Sequence, residues 1–357
     1  MKKKIIISLV LGILLSVVGF YFALRNVPVG ELIDYMASIH YGWVFPAAVI
    51  GLFTFVLRAF RWQVILGTSV RLPFFPVFHP MMIGFMINTV LPGRVGELAR
   101  PAILKKQEDV PFSLGITTVA AERVLDAVTL IALFAWVMAT VHIDPNLQIE
   151  FQGYQLSRQT LDAIATAMTR FSIVVILMII AIGIPAVQRV LKAVALKLPQ
   201  LFFFAGESFR EAVSRRFSVP LTGVIDNIAA GFSLTRYPAR LMICLFYSFL
   251  IWLLQILSLY LITFGSPGIN LTFAQMTTVF VIICFFIALP SVPGFWGLWE
   301  AGGVFGMALF GVPAGIAAGF SLATHAVLMF PVLIVGIYSA FVTGINIIQV
   351  SYRETPE

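Results

Sequence analysis

The chain has 357 residues, 60% of them hydrophobic and 11% charged, with a mean hydropathy of +1.00. A soluble domain carries roughly a quarter of its residues as charges to keep its surface wet, so this composition fits lipid as the solvent. The formal charge of +7 does not point to nucleic acid, because the basic residues sit between apolar runs and read as a topology signal facing anionic headgroups.

Apolar runs of about 20 residues, enough to cross a ~30 Å hydrocarbon core as helix, recur along the chain. The ~10-residue alternating segments of a β-barrel are missing. The expected fold is an all-α polytopic membrane protein forming a single transmembrane domain, with about six spans plus two re-entrant helical hairpins.

In chain order, Lys2, Lys3 and Lys4 precede an apolar stretch over 5–24. Its length, and the lack of a small-x-small cleavage site before Arg25, predict an uncleaved first span. A short, weakly amphipathic external segment over 27–41 completes an N-terminal unit, 1–42. The first half, 43–185, opens with a span over 43–67. Next comes an apolar stretch over 74–91 that runs into Pro92-Gly93 and a charged segment over 94–109. A hairpin near 74–106 accounts for this. Spans over 113–141 and 171–185 follow, separated by a polar loop.

The segment 186–240 reads as a basic cytoplasmic linker. Val187, Val190, Leu191, Val194 and Leu198 keep helical spacing there among Arg189, Lys192 and Lys197, as in an interfacial amphipathic helix. Phe202, Phe203 and Phe204 read as membrane contact. The second half, 241–357, has spans over 241–264 and 315–342. Between them lies a hairpin near 271–311, interrupted by Pro290, Pro293, Gly294 and Gly297.

If both hairpins return to the side they enter from, Lys2–4, Arg71, Lys105, Lys106, the basic residues of 189–240 and Arg353 all fall inside. Only Arg25, Arg158 and Arg170 fall outside. The positive-inside rule then holds along the chain, with both termini cytoplasmic.

The sequence repeats itself. Leu91-Pro92-Gly93-x-x-Gly96-Glu97 recurs as Val292-Pro293-Gly294-x-x-Gly297, with Glu300 three residues on, and Val110-Pro111 recurs as Val312-Pro313. An odd number of crossings separates equivalent points, so the halves are expected to be inverted. Matched broken helices in inverted halves point to a transporter site near the midplane. Proline removes a backbone donor and glycine permits a sharp reversal. The freed polar groups cannot face lipid, so both elbows are expected to line a wet interior pocket.

Charged residues inside apolar segments mark pathways. Glu300 is the only formally charged side chain from 241 to 352; the alternative is a helix-capping residue at a water interface. Glu122, Arg123 and Asp126 share one helical sector, where they either line a pocket or lock two helices as an ion pair. Arg58 and Arg61 share a helix face, in a pocket or snorkelling to headgroups. Arg94, Glu97 and Arg100 follow the first elbow at three-residue steps. Five arginines against four acids form a compensated, slightly basic set, and guanidinium forks match phosphate oxygens.

Cys244 and Cys284 lie in apolar runs, and His40, His79, His142 and His325 form no ligand pattern. No Gly-rich phosphate loop or Ser-His-Asp order occurs. No metal, cofactor or enzymatic activity is expected.

The stretch from Asn88 to Arg100, with Ala121-Glu122-Arg123-Val124-Leu125-Asp126, resembles the lysylphosphatidylglycerol synthase transmembrane-region family, the flippase-like domain proteins. Leu289 to Gly294, Gly297, Glu300, Phe310 to Pro313 and His325 agree, and the resemblance runs from Arg58-Ala59-Phe60-Arg61-Trp62 to the final span. It implies an inner-membrane protein related to the flippase half of the multiple peptide resistance factor, and it adds Asn88 and His325 to the site. The chain ends at Glu357 without the aminoacyl-transferase domain, so lipid lysylation is not expected of it. Phe295, Trp296 and Trp299 are placed to narrow the outer side of the pocket.

The leading expectation is a lipid translocase that passes an anionic or aminoacylated headgroup through the pocket while the tails stay in the bilayer. The alternatives are a secondary transporter of a small solute, proton-coupled through Glu300, and a non-transport partner of a lipid-modifying enzyme. Membrane lipids are the expected partners, and a homo-oligomer is compatible with the sequence.

Overall fold

The computed structural model describes residues 14, 17–21, 23–24, 27–91, 94–141, 149–151, 154–156, 166–167, 169–170, 172–174, 177, 184–202, 206–219, 221–223, 225, 234, 236–288 and 293–345. Before the first elbow lie α1 (Val29–Ser38), α2 (Val44–Leu66) and α3 (Phe74–Val90). After it come α4 (Gly96–Glu108) and α5 (Phe112–Thr140). An antiparallel ribbon of β1 (Ile149–Phe151) and β2 (Tyr154–Leu156) follows. The central segment carries α6 (Pro185–Lys197) and α7 (Glu207–Val213). The second half holds α8 (Pro238–Thr263), α9 (Phe273–Ile287), α10 (Leu298–Ala308) and α11 (Ala314–Thr343).

Among the described residues four helical segments are long and apolar enough to cross a membrane: Tyr41–Leu66, Phe112–Thr140, Pro238–Thr263 and Ala314–Thr343. They match four of the expected spans to within a few residues. The expected spans over 5–24 and 171–185 lie largely outside the described residues. At 1.5 Å per residue, α3 and α9 reach only about 26 and 22 Å, short of the ~30 Å core. Each instead doubles back. The α3–α4 hairpin closes where Gly84 meets Gly96 and Arg100, and the α9–α10 hairpin where Gly302 meets Ile283 and Gly306 meets Val279. Small residues at these crossings let the two arms pack backbone to backbone.

The two halves correspond element by element. Phe74 and Phe273 start the first arms 199 residues apart; Gly96 and Leu298 start the second arms 202 apart, as Phe112 and Ala314 start the long helices. Pro111 and Pro313 stand in extended geometry just ahead of α5 and α11, where their fixed φ sets the entry and no intrahelical donor is lost. The opening helices α2 and α8 run antiparallel. Trp43 meets Phe264, Ser258 donates to the Ala47 carbonyl at 2.6 Å, and Arg61 donates to Ser248 at 2.8 Å. Thr54 and Gln255, 3.4 Å apart, occupy the positions equivalent to Ser248 and Arg61, so one polar crossing answers the other across a pseudo-twofold axis.

Each hairpin also packs on the long helix of the other half. Phe134 of α5 meets Phe285 of α9 edge-on, and at the matching positions Gly336 of α11 meets Met86 of α3. The largest buried cluster joins α1, α2, α8, α9, α10 and α11.

Two readings change in detail. The segment 27–41 is not merely a connecting stretch: its helix α1 sends Tyr35 against Gly319 of α11. The reading of this segment as only weakly amphipathic is corrected: α1 has a marked apolar face, with Tyr35 buried and Leu32 packed against the same core cluster. In the central segment, Val187 and Leu191 are half-buried and Ala195 is buried, so part of the face read as interfacial packs inward. Val190 and Val194 stay exposed. Phe203 and Phe204 lie outside the described residues.

Candidate functional site: a chamber between two elbows

Both elbows place the residue after Pro-Gly in left-handed geometry. Pro92 and Gly93 lie outside the described residues, and Arg94 follows with φ 54°. In the second elbow Gly294 and Phe295 have φ 66° and 61°. Such a conformation costs a side-chain-bearing residue on the order of 1–3 kcal/mol and persists only where surrounding contacts enforce it. Here the two strained residues meet. The Arg94 guanidinium lies 5.6 Å from the Phe295 ring centroid, and its Nη2 donates to the Ile287 carbonyl at 3.0 Å. Ile287 ends α9, so its carbonyl is one of those a helix leaves without an internal partner.

The sequence-predicted hinge glycines have separate tasks. Gly96 donates its N–H to Asn88 Oδ1 at 2.7 Å, and a Cβ there would collide with the Gly84 carbonyl. Gly297, at φ 85°, lies against Gly19 of the N-terminal helical residues and donates to Glu300 Oε2 at 2.7 Å.

A chamber of about 570 Å³ opens between the elbows. Of the candidate site residues, Arg58, Asn88, Arg94, Glu97, Arg123, Asp126 and His325 line it, as does Gly294. Its wall repeats the internal symmetry. On the long helices, Arg123, Asp126, Ala127 and Leu130 face His325, Leu328, Met329 and Val332, each 202 residues later. The chemistry does not repeat. Arg58 is answered by Trp252, Asn88 by Ile287, Arg94 by Phe295, Glu97 by Trp299 and Asp126 by Leu328. The Asp, Glu and Arg residues of the wall all come from the first half, beside Phe55, Phe85 and Leu130, while the second half contributes aromatic and aliphatic residues with Gln255, Cys284 and His325 among them.

Behind the charged wall runs a continuous ion network. Arg100 Nη2 lies 2.6 Å from Glu122 Oε2, and Arg61 Nη2 lies 3.6 Å from Glu122 Oε1. Arg61 Nη1 reaches Asp126 Oδ1 at 2.7 Å. Asp126 also pairs with Arg123 at 3.2 Å and Arg58 at 3.9 Å, and Arg123 reaches Glu97 at 3.6 Å. Arg61, Arg100 and Glu122 are buried and do not line the chamber. Arg100 lies over the Trp62 ring, whose Nε1 donates to Thr118 at 2.8 Å. The inner part of the set therefore locks helices together while the outer part faces the chamber, so both readings of these residues apply, to different members.

Glu300 is fully buried, and the structure places it behind the chamber wall as the cap of α10. Its Oε1 lies 2.7 Å from His325 Nδ1. The His325 ring packs against Trp299 (centroids 5.0 Å apart, 20° between planes) and Trp296 (4.4 Å, 39°). Trp252, Gln255 and Phe280 also line the chamber, and the sequence carried no signal for them, since uncharged residues in an apolar helix look like core or lipid contact. Among the described residues no group of three or more His, Cys, Asp or Glu is placed to hold a metal ion.

The family described as the lysylphosphatidylglycerol synthase TM region matches residues 9–336. The chain belongs to that family. It is 24% identical over 315 residues to the UPF0104 membrane protein PH1989 of Pyrococcus horikoshii, covering 84% of this chain and 85% of that one. It is also 28% identical over 130 residues to the glycosyltransferase AglD of Haloferax volcanii, a match covering 36% of this chain and only 20% of the relative. No solved structure matches. This member of the family is a polytopic helical membrane protein.

Proposed function

We propose that the protein moves a lipid with an anionic or aminoacylated headgroup between leaflets, in the inner membrane of the cell with both termini cytoplasmic. The observation that carries this reading is the divided wall of the chamber. A headgroup has partners in Arg58, Arg94, Arg123, Glu97 and Asp126 on one side, while Trp252, Phe280, Ile287 and Phe295 offer an apolar surface to the start of its chains. A small soluble solute would leave that second surface facing water, which disfavours the solute-transporter alternative. The size fits as well: small-molecule pockets span roughly 300–1,000 Å³, which admits a headgroup but not whole acyl chains.

The test is leaflet exchange of fluorescent anionic and aminoacylated lipids in liposomes containing the purified chain. Acceleration over protein-free liposomes is expected. If every such lipid exchanges at the protein-free rate, the proposal is wrong.

The partial match to a glycosyltransferase favours one further reading, a membrane partner that presents a lipid to a separate enzyme. That reading expects copurification of a lipid-modifying enzyme, with no exchange by the chain alone.

A further inference from the structure

Glu300 and His325 form an ionisable pair that headgroup binding does not explain. Between 241 and 345 they are the only Asp, Glu, Lys, Arg or His side chains. Both are buried, at 0% and 5% side-chain exposure, yet His325 also lines the chamber. The two carboxylate oxygens of Glu300 are divided between different structures, Oε1 on the His325 imidazole and Oε2 on the backbone N–H of Gly297 in the second elbow.

The geometry points to Glu300 and His325 as a proton-binding site that takes protons from the chamber and, by changing the hold of Glu300 on Gly297, couples them to movement of the second elbow. Without the extra proton, a neutral imidazole donates from Nδ1 to a buried carboxylate, and the elbow N–H is that carboxylate's other donor. Uptake of one proton at Nε2 forms an imidazolium and leaves the pair neutral overall. The carboxylate charge is then drawn towards Nδ1, because the charge-assisted bond is the stronger of its two. The bond to Gly297 weakens. That bond restrains an elbow in which three of four consecutive residues, Gly294, Phe295 and Gly297, have positive φ. Phe295 is also the ring on which Arg94 rests, so displacement of this elbow releases the contact between the two elbows at the chamber mouth.

The other titratable groups around the pair come from every neighbouring element. Arg58, Arg94, Glu97, Arg123 and Asp126 face it across the chamber, and Cys284 of α9 lies on the same wall. Glu31 and Tyr35 of α1 lie further along α11 at Gly315 and Gly319, His79 of α3 meets Ser339, and Tyr21 belongs to the helical residues beside Gly297. Of these, only the chamber groups line the same cavity as His325, and their charges are already engaged with one another, save Arg94 on its carbonyl and ring.

The coupling rests on the proposed lipid movement; the proton site does not, and the experiment separates them. Trp296 and Trp299 flank the imidazole, so its charge should alter their emission. The full chain in nanodiscs is titrated across about pH 5 to 9, where histidines change charge. The expected result is a fluorescence step in the wild type that is lost in His325→Gln and in Trp296→Phe/Trp299→Phe. The tryptophan variants keep the test valid if His325→Gln fails to fold. In liposomes, exchange is expected to vary with pH in the wild type and to lose that dependence in His325→Gln and Glu300→Gln. No step in the wild type, or one that survives His325→Gln, overturns the proton site. A step that depends on His325 without exchange of any lipid supports the proton site and overturns its coupling to lipid movement.

Discussion

Replacing Arg100 by Met tests whether the buried ion network is structural. The Arg100–Glu122 pair is 2.6 Å long, with its side chains 3% and 1% exposed, so neither charge has water as a substitute partner. At an effective dielectric near 20, that pair contributes roughly 6 kcal/mol of Coulomb energy and the remaining 3.6 Å contact of Glu122 with Arg61 roughly 5. Most of the gross attraction offsets desolvation, and breaking a buried pair by removing one partner typically costs about 3–5 kcal/mol. The loss of the cation over Trp62, 4.9 Å from its ring, adds up to ~2 kcal/mol. Arg100→Met should therefore destabilise the protein by at least about 3 kcal/mol. Adding Glu122→Gln removes the carboxylate that Arg100 paired, and contacting residues couple by about 0.5–3 kcal/mol, so the double variant should lose less than the sum of the two single losses by that amount. Equilibrium unfolding in mixed micelles, followed by circular dichroism, measures all three variants. A single-variant loss below about 1 kcal/mol, or a double variant as unstable as the sum of the singles, refutes the buried-pair reasoning.

Three other perturbations address the elbows and the chamber. Gly96→Ala places a methyl group on the Gly84 carbonyl and beside Asn88 Oδ1, so the α3–α4 hairpin should open and thermal stability fall sharply, visible as faster amide exchange over 84–100. Arg94→Ala removes the contact between the elbows. In a Cys244→Ala background, a small hydrophilic thiol reagent should then label Cys284 on the chamber wall faster than in the Arg94 parent, and unchanged labelling would mean that Arg94 does not guard the chamber. Arg123→Gln should leave stability within about 1 kcal/mol of the wild type, because Arg123 is 35% exposed and Asp126 keeps Arg61 at 2.7 Å. Lipid exchange by that variant should nevertheless fall, and an unimpaired rate would remove Arg123 from the headgroup site.

Much of this structure was legible in the sequence because bilayer thickness and backbone satisfaction leave few options. Runs of matching length became α2, α5, α8 and α11, and the Pro-Gly pairs marked both reversals. Position along the chain could not show which charges face the chamber. Glu122, Arg123 and Asp126 share one helical sector, yet a few tens of degrees separate the buried Glu122 from the chamber-lining Asp126. Glu300 was legible as an unusual residue, but its partner depends on where α11 crosses α10, a tertiary fact. The apolar half of the wall was the least legible part, since Trp252 or Leu328 facing a cavity has the same local sequence as one facing lipid.

On the proposed lipid movement, the pairing of positions across the pseudo-twofold axis lets a symmetric scaffold serve an asymmetric ligand. Backbone symmetry fixes two equivalent elbows, two long helices entered through Val-Pro and one chamber on the axis, so every wall position has a counterpart about 200 residues away. Had the side chains repeated too, the chamber would be charged on both faces, leaving an acyl chain without a surface, or apolar on both, leaving a headgroup unsolvated. Arg58, Asn88, Glu97 and Asp126 are matched by Trp252, Ile287, Trp299 and Leu328, an asymmetry that on this proposal divides the space between the two ends of an amphiphile. The retained likeness is Arg123 opposite His325, each paired with a carboxylate at the head of the adjoining hairpin arm, Glu97 or Glu300. One of these cations is permanent and the other depends on a proton. On the proposed proton site, that proton acts at the wall position matching the permanent charge of the first half.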